Sequence, residues 1–208
     1  MSESMTEAAE PGLSSRRRFL RGAGQATLSA TAVALIVGCE SMAAKMDRQS
    51  AAAGMAANPT QDVAILNVAL GLEHEAIGAY QLGAESGLLD KSVLGVAVMF
   101  QGQHKEHRDA LDATVRKLGG KPVQAKSLQD YADDLMAATL RNQTDVLKLA
   151  ARLERGAANA YLGVIPSFTD TTLAQISGRL AADETMHWTV LAQALGQPLP
   201  DKALSFGA

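Results

Sequence analysis

Apolar positions between Pro59 and Pro200 recur at helical spacing rather than in strand alternation. Leu66, Ala69, Glu73, Ala76, Ile77 and Tyr80 fall on one face, and Val93, Val96, Ala97, Phe100, His104, His107 and Leu111 on a second. A third face carries Val146, Leu147, Ala150, Glu154, Ala157, Ala158 and Tyr161, and a fourth Leu173, Ile176, Leu180, Glu184, His187 and Leu191. Each stripe is apolar except near its middle, where a carboxylate or an imidazole interrupts it. Burying such groups costs several kcal/mol unless they are paired or bind a metal.

Punctuation divides this region into four long helices. Pro59-Thr60 opens the first, which fades at Glu85-Ser86-Gly87; Asp90 caps the second, which ends at Leu118-Gly119-Gly120. Asn142 or Thr144 opens the third, which stops near Pro166, and Asp170 or Thr171 opens the fourth, which ends at Leu195-Gly196. The loops after the first and third helices are short, so each pair must be antiparallel. The stretch from Gly119 to Arg141 is long enough to cross the bundle, with a short helix expected within Leu128 to Leu140.

The two halves are copies. Leu72 to Tyr80 aligns with Leu153 to Tyr161 at an offset of 81, and Gln103 to His107 aligns with Asp183 to His187 at an offset of 80. Counted from the hairpin loops, Glu73 and Glu154 each lie 13 residues before Ser86 and Ser167. His107 and His187 each lie 16 after Lys91 and Thr171. At about 1.5 Å of rise per residue, all four intrusions reach nearly the same level. Three of the four histidines lie on these faces.

Glu73, Glu154 and the Glu184-x-x-His187 pair resemble the ferritin-like di-metal carboxylate superfamily, in which two helices give one Glu each and two give Glu-x-x-His. The resemblance covers Pro59 to about Pro200 and extends to twin-arginine-exported ferritin-like domain proteins of unassigned activity. It implies an all-α fold, a ferritin-like four-helix bundle of two antiparallel hairpins joined by a long crossover. It implies metal ligation by Glu73, His104, His107, Glu154, Glu184 and His187, with Asp183 hydrogen-bonded to the outer nitrogen of His107. Gln103, Tyr80 and Tyr161 flank those ligands, and the tyrosines are expected to fill the core and hydrogen-bond through their hydroxyls. The chain departs from the pattern on its second helix, where His104 replaces Glu and Gln103 replaces Asp. Three glutamates do not neutralise two divalent ions. The expectation is therefore one metal, two unlike metals, or two with a hydroxide, iron or manganese in each case. His74, Glu75, Glu106, Arg108 and Asp109 read as surface or rim residues, and Met99, Met136, Met186 and Trp188 as core or boundary packing.

Composition narrows the picture further. The 208 residues are 47% hydrophobic and only 4% aromatic, which suits close-packed helices, and the formal net charge is -3. The body of the chain holds no Lys/Arg cluster, so nothing points to nucleic acid. The lone cysteine, Cys39, excludes an intramolecular disulfide framework and a cysteine-based zinc site.

The first residues read as an address. Arg16 and Arg17, followed by Arg18-Phe19-Leu20-Arg21 and a weakly apolar run from Ala26 to Gly38, resemble a twin-arginine export signal, a route taken by folded and often cofactor-loaded proteins. Leu35-Ile36-Val37-Gly38-Cys39 resembles a lipobox, which implies lipidation of Cys39, a membrane anchor rather than a span, and a location in the periplasm or on the outer face of the cytoplasmic membrane. The alternative is an ordinary signal cleaved near Ala44. The expected organisation is a signal over 1–38, a tether over 39–58, the four-helix domain over 59–200 and a tail over 201–208.

Two functions compete. One is a di-iron, di-manganese or mixed-metal redox protein acting on O2, peroxide or Fe(II). There Glu184 bridges, Glu73 and Glu154 are terminal, His107 and His187 each hold an ion, and His104 is an added ligand or a proton donor. The other is a non-catalytic, lipid-anchored bundle whose site is structural or vestigial and whose surface binds an envelope partner. Haem between histidines is a third reading that leaves the glutamates without a purpose. A homo-oligomer is left open.

Overall fold

The computed structural model describes residues 59–207, and the signal and tether expected before Pro59 lie outside them. Five α-helices and no strands are found among the described residues. They are α1 Pro59–Glu85, α2 Lys91–Lys117, α3 Leu128–Asp134, α4 Gln143–Val164 and α5 Thr171–Ala194. α1 packs against α2 and α4 against α5 as antiparallel hairpins, and the hairpins meet face to face, with α1 against α4. This is the ferritin-like bundle. Among the described residues no helix is long and apolar enough to cross a membrane.

The helix-start and helix-stop signals act locally, with one difference at Asp90. Asn142 accepts a hydrogen bond from the Asp145 backbone N–H at 3.0 Å, and Asp170 one from Thr172 at 2.7 Å, so each helix of the second hairpin begins with a side-chain cap. Asp90 occupies the cap position of α2 but makes no side-chain cap bond. Its backbone N–H instead donates to Gln143 Oε1 at 2.8 Å and ties the first hairpin loop to the start of α4. Both halves end identically. Gly119 and Gly196 take positive φ (78° and 65°), and the next N–H returns to the carbonyl of Val115 or Ala192, each at 2.9 Å. Only glycine adopts this left-handed stop without strain.

The crossover is pinned along α1. Asn67 accepts from the Val123 N–H at 2.8 Å and donates to the Lys121 carbonyl at 3.1 Å. His74 Nε2 reaches the Val123 carbonyl at 3.2 Å, which gives this histidine a structural partner away from the centre. Ser127 caps α3 in a reciprocal capping box with Asp130, and Tyr131 of α3 lies on Gly78, where a Cβ would come within 2.7 Å of its ring. Helical structure thus covers Leu128 to Asp134 and a short 3-10 turn at Ala137–Thr139, with Met136 between them at φ 53°.

Two apolar clusters lie toward the two ends of the bundle. One gathers Leu66, Leu70, Leu111, Val115, Tyr161 and Leu173, the other Tyr80, Phe100, Leu147, Ala151, Trp188 and Leu191. The polar mid-stripe residues lie between them. The segment after Pro200, read as a tail, returns to the bundle: Phe206 packs edge-on against Trp188 at 5.1 Å, and Arg155 lies over both rings. Met99, Met136 and Met186 are half exposed or more rather than core.

Candidate metal centre

Six side chains from four helices converge at mid-bundle: Glu73 of α1, His104 and His107 of α2, Glu154 of α4, and Glu184 and His187 of α5. Five are at most 2% exposed, and His107 is 11% exposed at its side chain. They form two overlapping groups, Glu73–His104–His107–Glu184 and His104–Glu154–Glu184–His187, each with ligand atoms within 4.8 Å of one another. His104 and Glu184, equivalent positions of the two copies, belong to both groups.

The outer contacts repeat the duplication. His107 turns Nε2 outward to Asp183 Oδ2 at 3.2 Å, and His187 turns Nε2 outward to Gln103 Oε1 at 2.6 Å. An outer acceptor fixes the tautomer and leaves Nδ1 facing inward as a donor atom for a metal. Gln103 therefore does for His187 what Asp183 does for His107, without its charge. The tyrosines cross between hairpins: the Tyr80 hydroxyl donates to Glu154 and the Tyr161 hydroxyl to Glu73. Burial beside these carboxylates pushes both phenols well above their ordinary range, so both remain hydrogen-bond donors.

His104 breaks the symmetry. Neither of its nitrogens finds an outer acceptor. Nδ1 lies 2.8 Å from Glu73 Oε2 and Nε2 lies 3.2 Å from Glu154 Oε1, so the ring spans the two single-Glu helices. Burial opposes its charge, but hydrogen bonds to Glu154 and Glu73 outweigh it and lift His104 to about 10. His107 rises likewise to about 10, through Glu184 and Glu73. Glu73 is raised by burial but held down to about 2 by His104 and His107, and Glu154 is lowered through His104 and His187. Glu184 moves the other way because burial dominates.

The fit to a metal rests on three atoms. His107 Nδ1 and both oxygens of Glu184 are buried without a hydrogen-bond partner. They lie close, with His107 Nδ1 at 3.3 Å from Glu184 Oε1 and His187 Nδ1 at 3.4 Å from Glu184 Oε2, yet the groups are not aligned for hydrogen bonds. Buried polar atoms without partners are costly. A cation held by carboxylate oxygen and imidazole nitrogen would satisfy all three. The donor set is all N and O, which suits iron, manganese or zinc.

A cavity of about 360 Å³ between α1 and α4 reaches this centre, lined by His104 and Glu154 within and by Glu75 and Arg152. Ala76, Gly156 and Ala157 are the small residues of its lining, and a Cβ at Gly156 would meet nothing within 4 Å.

The charge arrangement gives a pH prediction for metal-free protein. The raised His104 and His107 contribute stability that is full below their unfolded value of 6.5 and is lost as pH rises through about 10. The depressed Glu73 contributes stability present above 4.5 and lost as pH falls through about 2. Thermal scans should place maximum stability between 4.5 and 6.5. Metal needs neutral imidazole, so calorimetry at neutral pH in buffers of different ionisation enthalpy should show protons released on metal binding.

A four-helix bundle with a long crossover and a buried Glu/His cluster defines a ferritin-like protein with a candidate metal site. The chain belongs to the ferritin-like domain family, whose model matches residues 61–197. Among solved structures it is similar to a conserved hypothetical protein, rv2844, from Mycobacterium tuberculosis. The identity there is 21% and the TM-score 0.57, over 70% of this chain and 97% of that one. It is also similar to a dodecameric thioferritin, the bacterioferritin-related protein from Bacteroides fragilis. That match has 20% identity and a TM-score of 0.57 over 67% of this chain and 87% of that one. These likenesses show the fold. No curated protein matches the chain.

Proposed function

We propose that this protein is a metal-dependent redox protein of the bacterial envelope, acting on O2, peroxide or Fe(II) with iron or manganese. The observation that carries the metal reading is the buried set formed by His107 Nδ1 and the two Glu184 oxygens, none of which has a hydrogen-bond partner. Glu184 is the shared carboxylate, Glu73 with His107 and Glu154 with His187 complete the two groups, and His104 stands between them. Bound iron or manganese would supply one-electron chemistry and an open coordination position. The chain's residues do the rest. Tyr161 and Tyr80 orient Glu73 and Glu154, Asp183 and Gln103 aim His107 and His187, and the surrounding helices bury five of the six candidate ligands to 2% exposure or less. His104 holds a proton between Glu73 and Glu154, where it can be delivered to a reduced oxygen species. The cavity at Gly156 offers a route for ions and small oxidants.

The twin-arginine motif at Arg16-Arg17 and the lipobox ending at Cys39 support export and a lipid anchor. The assembly state of the Bacteroides protein supports an expectation of homo-oligomers. One observation favours the second reading, a structural or vestigial site. The His104 imidazolium already links Glu73 and Glu154, so a single inert ion at Glu184 would complete the charge balance.

The two readings part in one experiment. Anaerobic protein is loaded with Fe(II) and mixed with oxygenated buffer, while ferric absorbance and O2 uptake are followed. The redox reading expects oxidation well above the protein-free rate, lost in Glu184→Gln. Bound iron that consumes no oxidant supports the structural reading instead. Gly156→Leu, which narrows the α1/α4 cavity, should slow Fe(II) uptake severalfold with its final stoichiometry unchanged.

A further inference from the structure

At the Tyr80 end of the bundle, α1, α2, α4 and α5 enclose a cleft of about 220 Å³. Tyr80, Phe100, Leu147 and Leu191 form its buried floor, and Val93 and Val96 line one wall. We propose that this cleft binds a small, uncharged, apolar molecule, the size of one ring or a short alkyl chain, directly behind the His104–Glu154–Glu184–His187 group.

The duplication supplies an internal control. At offsets of 80 and 81 the lining residues Gly83, Val93, Val96 and Val146 correspond to Val164, Leu173, Ile176 and Ile65. Every one of the four is smaller at the cleft end. Beside them, Ala151 stands where the other copy has the fully buried Leu70. Against them, Phe100, Leu149 and Val190 of the lining are larger than their counterparts Leu180, Val68 and Ala110. At the other end the same positions close into a packed cluster, with Leu66, Leu111 and Leu173 at 2%, 2% and 4% exposure. The duplicated packing scheme therefore has a filled end and a hollow end. A hollow lined by aliphatic side chains destabilises a bundle unless something occupies it.

The lining chooses the occupant. Its hydroxyls are those of Tyr80, which is committed to Glu154, and of Ser92, which is exposed. An ion would find no charged partner, and burying it there would be costly. A closed apolar cavity of about 150 Å³ already accepts benzene, so this volume suits a single ring or a few methylenes and is too small for a helix. The floor also touches the metal candidates: the Phe100 ring stacks on His187 at 4.1 Å, and Tyr80 bonds Glu154. An occupant would sit one ring away from two ligands of a single group.

The test is a titration of methyl-labelled full-length chain with benzene and with n-hexane, followed by NMR. It applies to metal-free and metal-loaded protein alike and does not depend on the redox reading. Saturable shifts at Val93, Val96 and Leu191, with none at Leu111 and Leu173, are expected. Val93→Leu with Val96→Ile installs the side chains of the filled end and should weaken binding at least tenfold while leaving metal content unchanged. Should that variant not fold, Ala150→Leu serves the same purpose. The proposal is overturned by non-saturable shifts, by equal binding at both ends, or by binding that persists in the filled variant. Contacts from residues 40–58 to the cleft methyls that neither probe displaces would also overturn it, because the chain's own segment would then be the occupant.

Discussion

Glu184→Gln is expected to make the metal-free protein more stable and to abolish its stabilisation by metal. Glu184 is fully buried, belongs to both ligand groups, and has neither oxygen hydrogen-bonded. Burial raises its pKa, so the fold without metal disfavours its ionised form. Buried unsatisfied polar groups cost about 1–3 kcal/mol and more when charged. Removing the charge at nearly constant volume should return a gain of that order, or roughly 2–4 °C per kcal/mol in a domain of this size. With metal the sign reverses. Loss of groups that merely orient ligands lowers affinity about 10–100-fold, and loss of a shared ligand should exceed that. Melting curves of both proteins with and without added Fe(II), Mn(II) and Zn(II) check the pair of signs. A variant destabilised with and without metal alike would mark Glu184 as ordinary core.

His104→Ala should have the largest effect on the metal-free protein, in the opposite direction. The ring separates and neutralises Glu73 and Glu154, at 2.8 and 3.2 Å. Without it, two carboxylates at most 2% exposed keep their tyrosine donors and the longer contacts to His107 and His187, at 3.6 and 3.3 Å. Removing one partner of a buried ion pair typically costs about 3–5 kcal/mol. Divalent metal should recover much of that loss, since a second cation can then stand between the glutamates. Denaturant unfolding with and without metal measures both terms. His104→Glu, which restores the residue found at Glu184 in the other copy, should raise the metal stoichiometry relative to the native chain.

Much of this arrangement was legible because the chain is written twice. Helical period located the four stripes, and equal distances from the hairpin loops put Glu73, Glu154, His107 and His187 at one level, where the structure places them. The Asp183–His107 bond followed from the resemblance. Other features depend on how the hairpins face each other, which local pattern does not encode. Tyr80 and Tyr161 each reach the glutamate of the opposite hairpin, and His104 turns both nitrogens inward. Period also misleads beside a core position. Met99 and Met186 neighbour Phe100 and His187 in sequence but point outward at about half exposure. Phe206 gave no periodic signal at all, yet it packs on Trp188. The hollow end became visible only when side-chain volumes of the two copies could be compared in space. The export and lipidation motifs lie outside the described residues, and mass spectrometry of the mature N-terminus would test them directly.

Elemental analysis of protein purified after native export, with metal counted per chain and no metal added, bears most directly on the proposal that this buried Glu/His cluster is a metal centre. One or two ions of iron or manganese per chain are expected, falling to near zero in Glu184→Gln. A native protein with no transition metal, or one whose metal content is unchanged by Glu184→Gln, would contradict it.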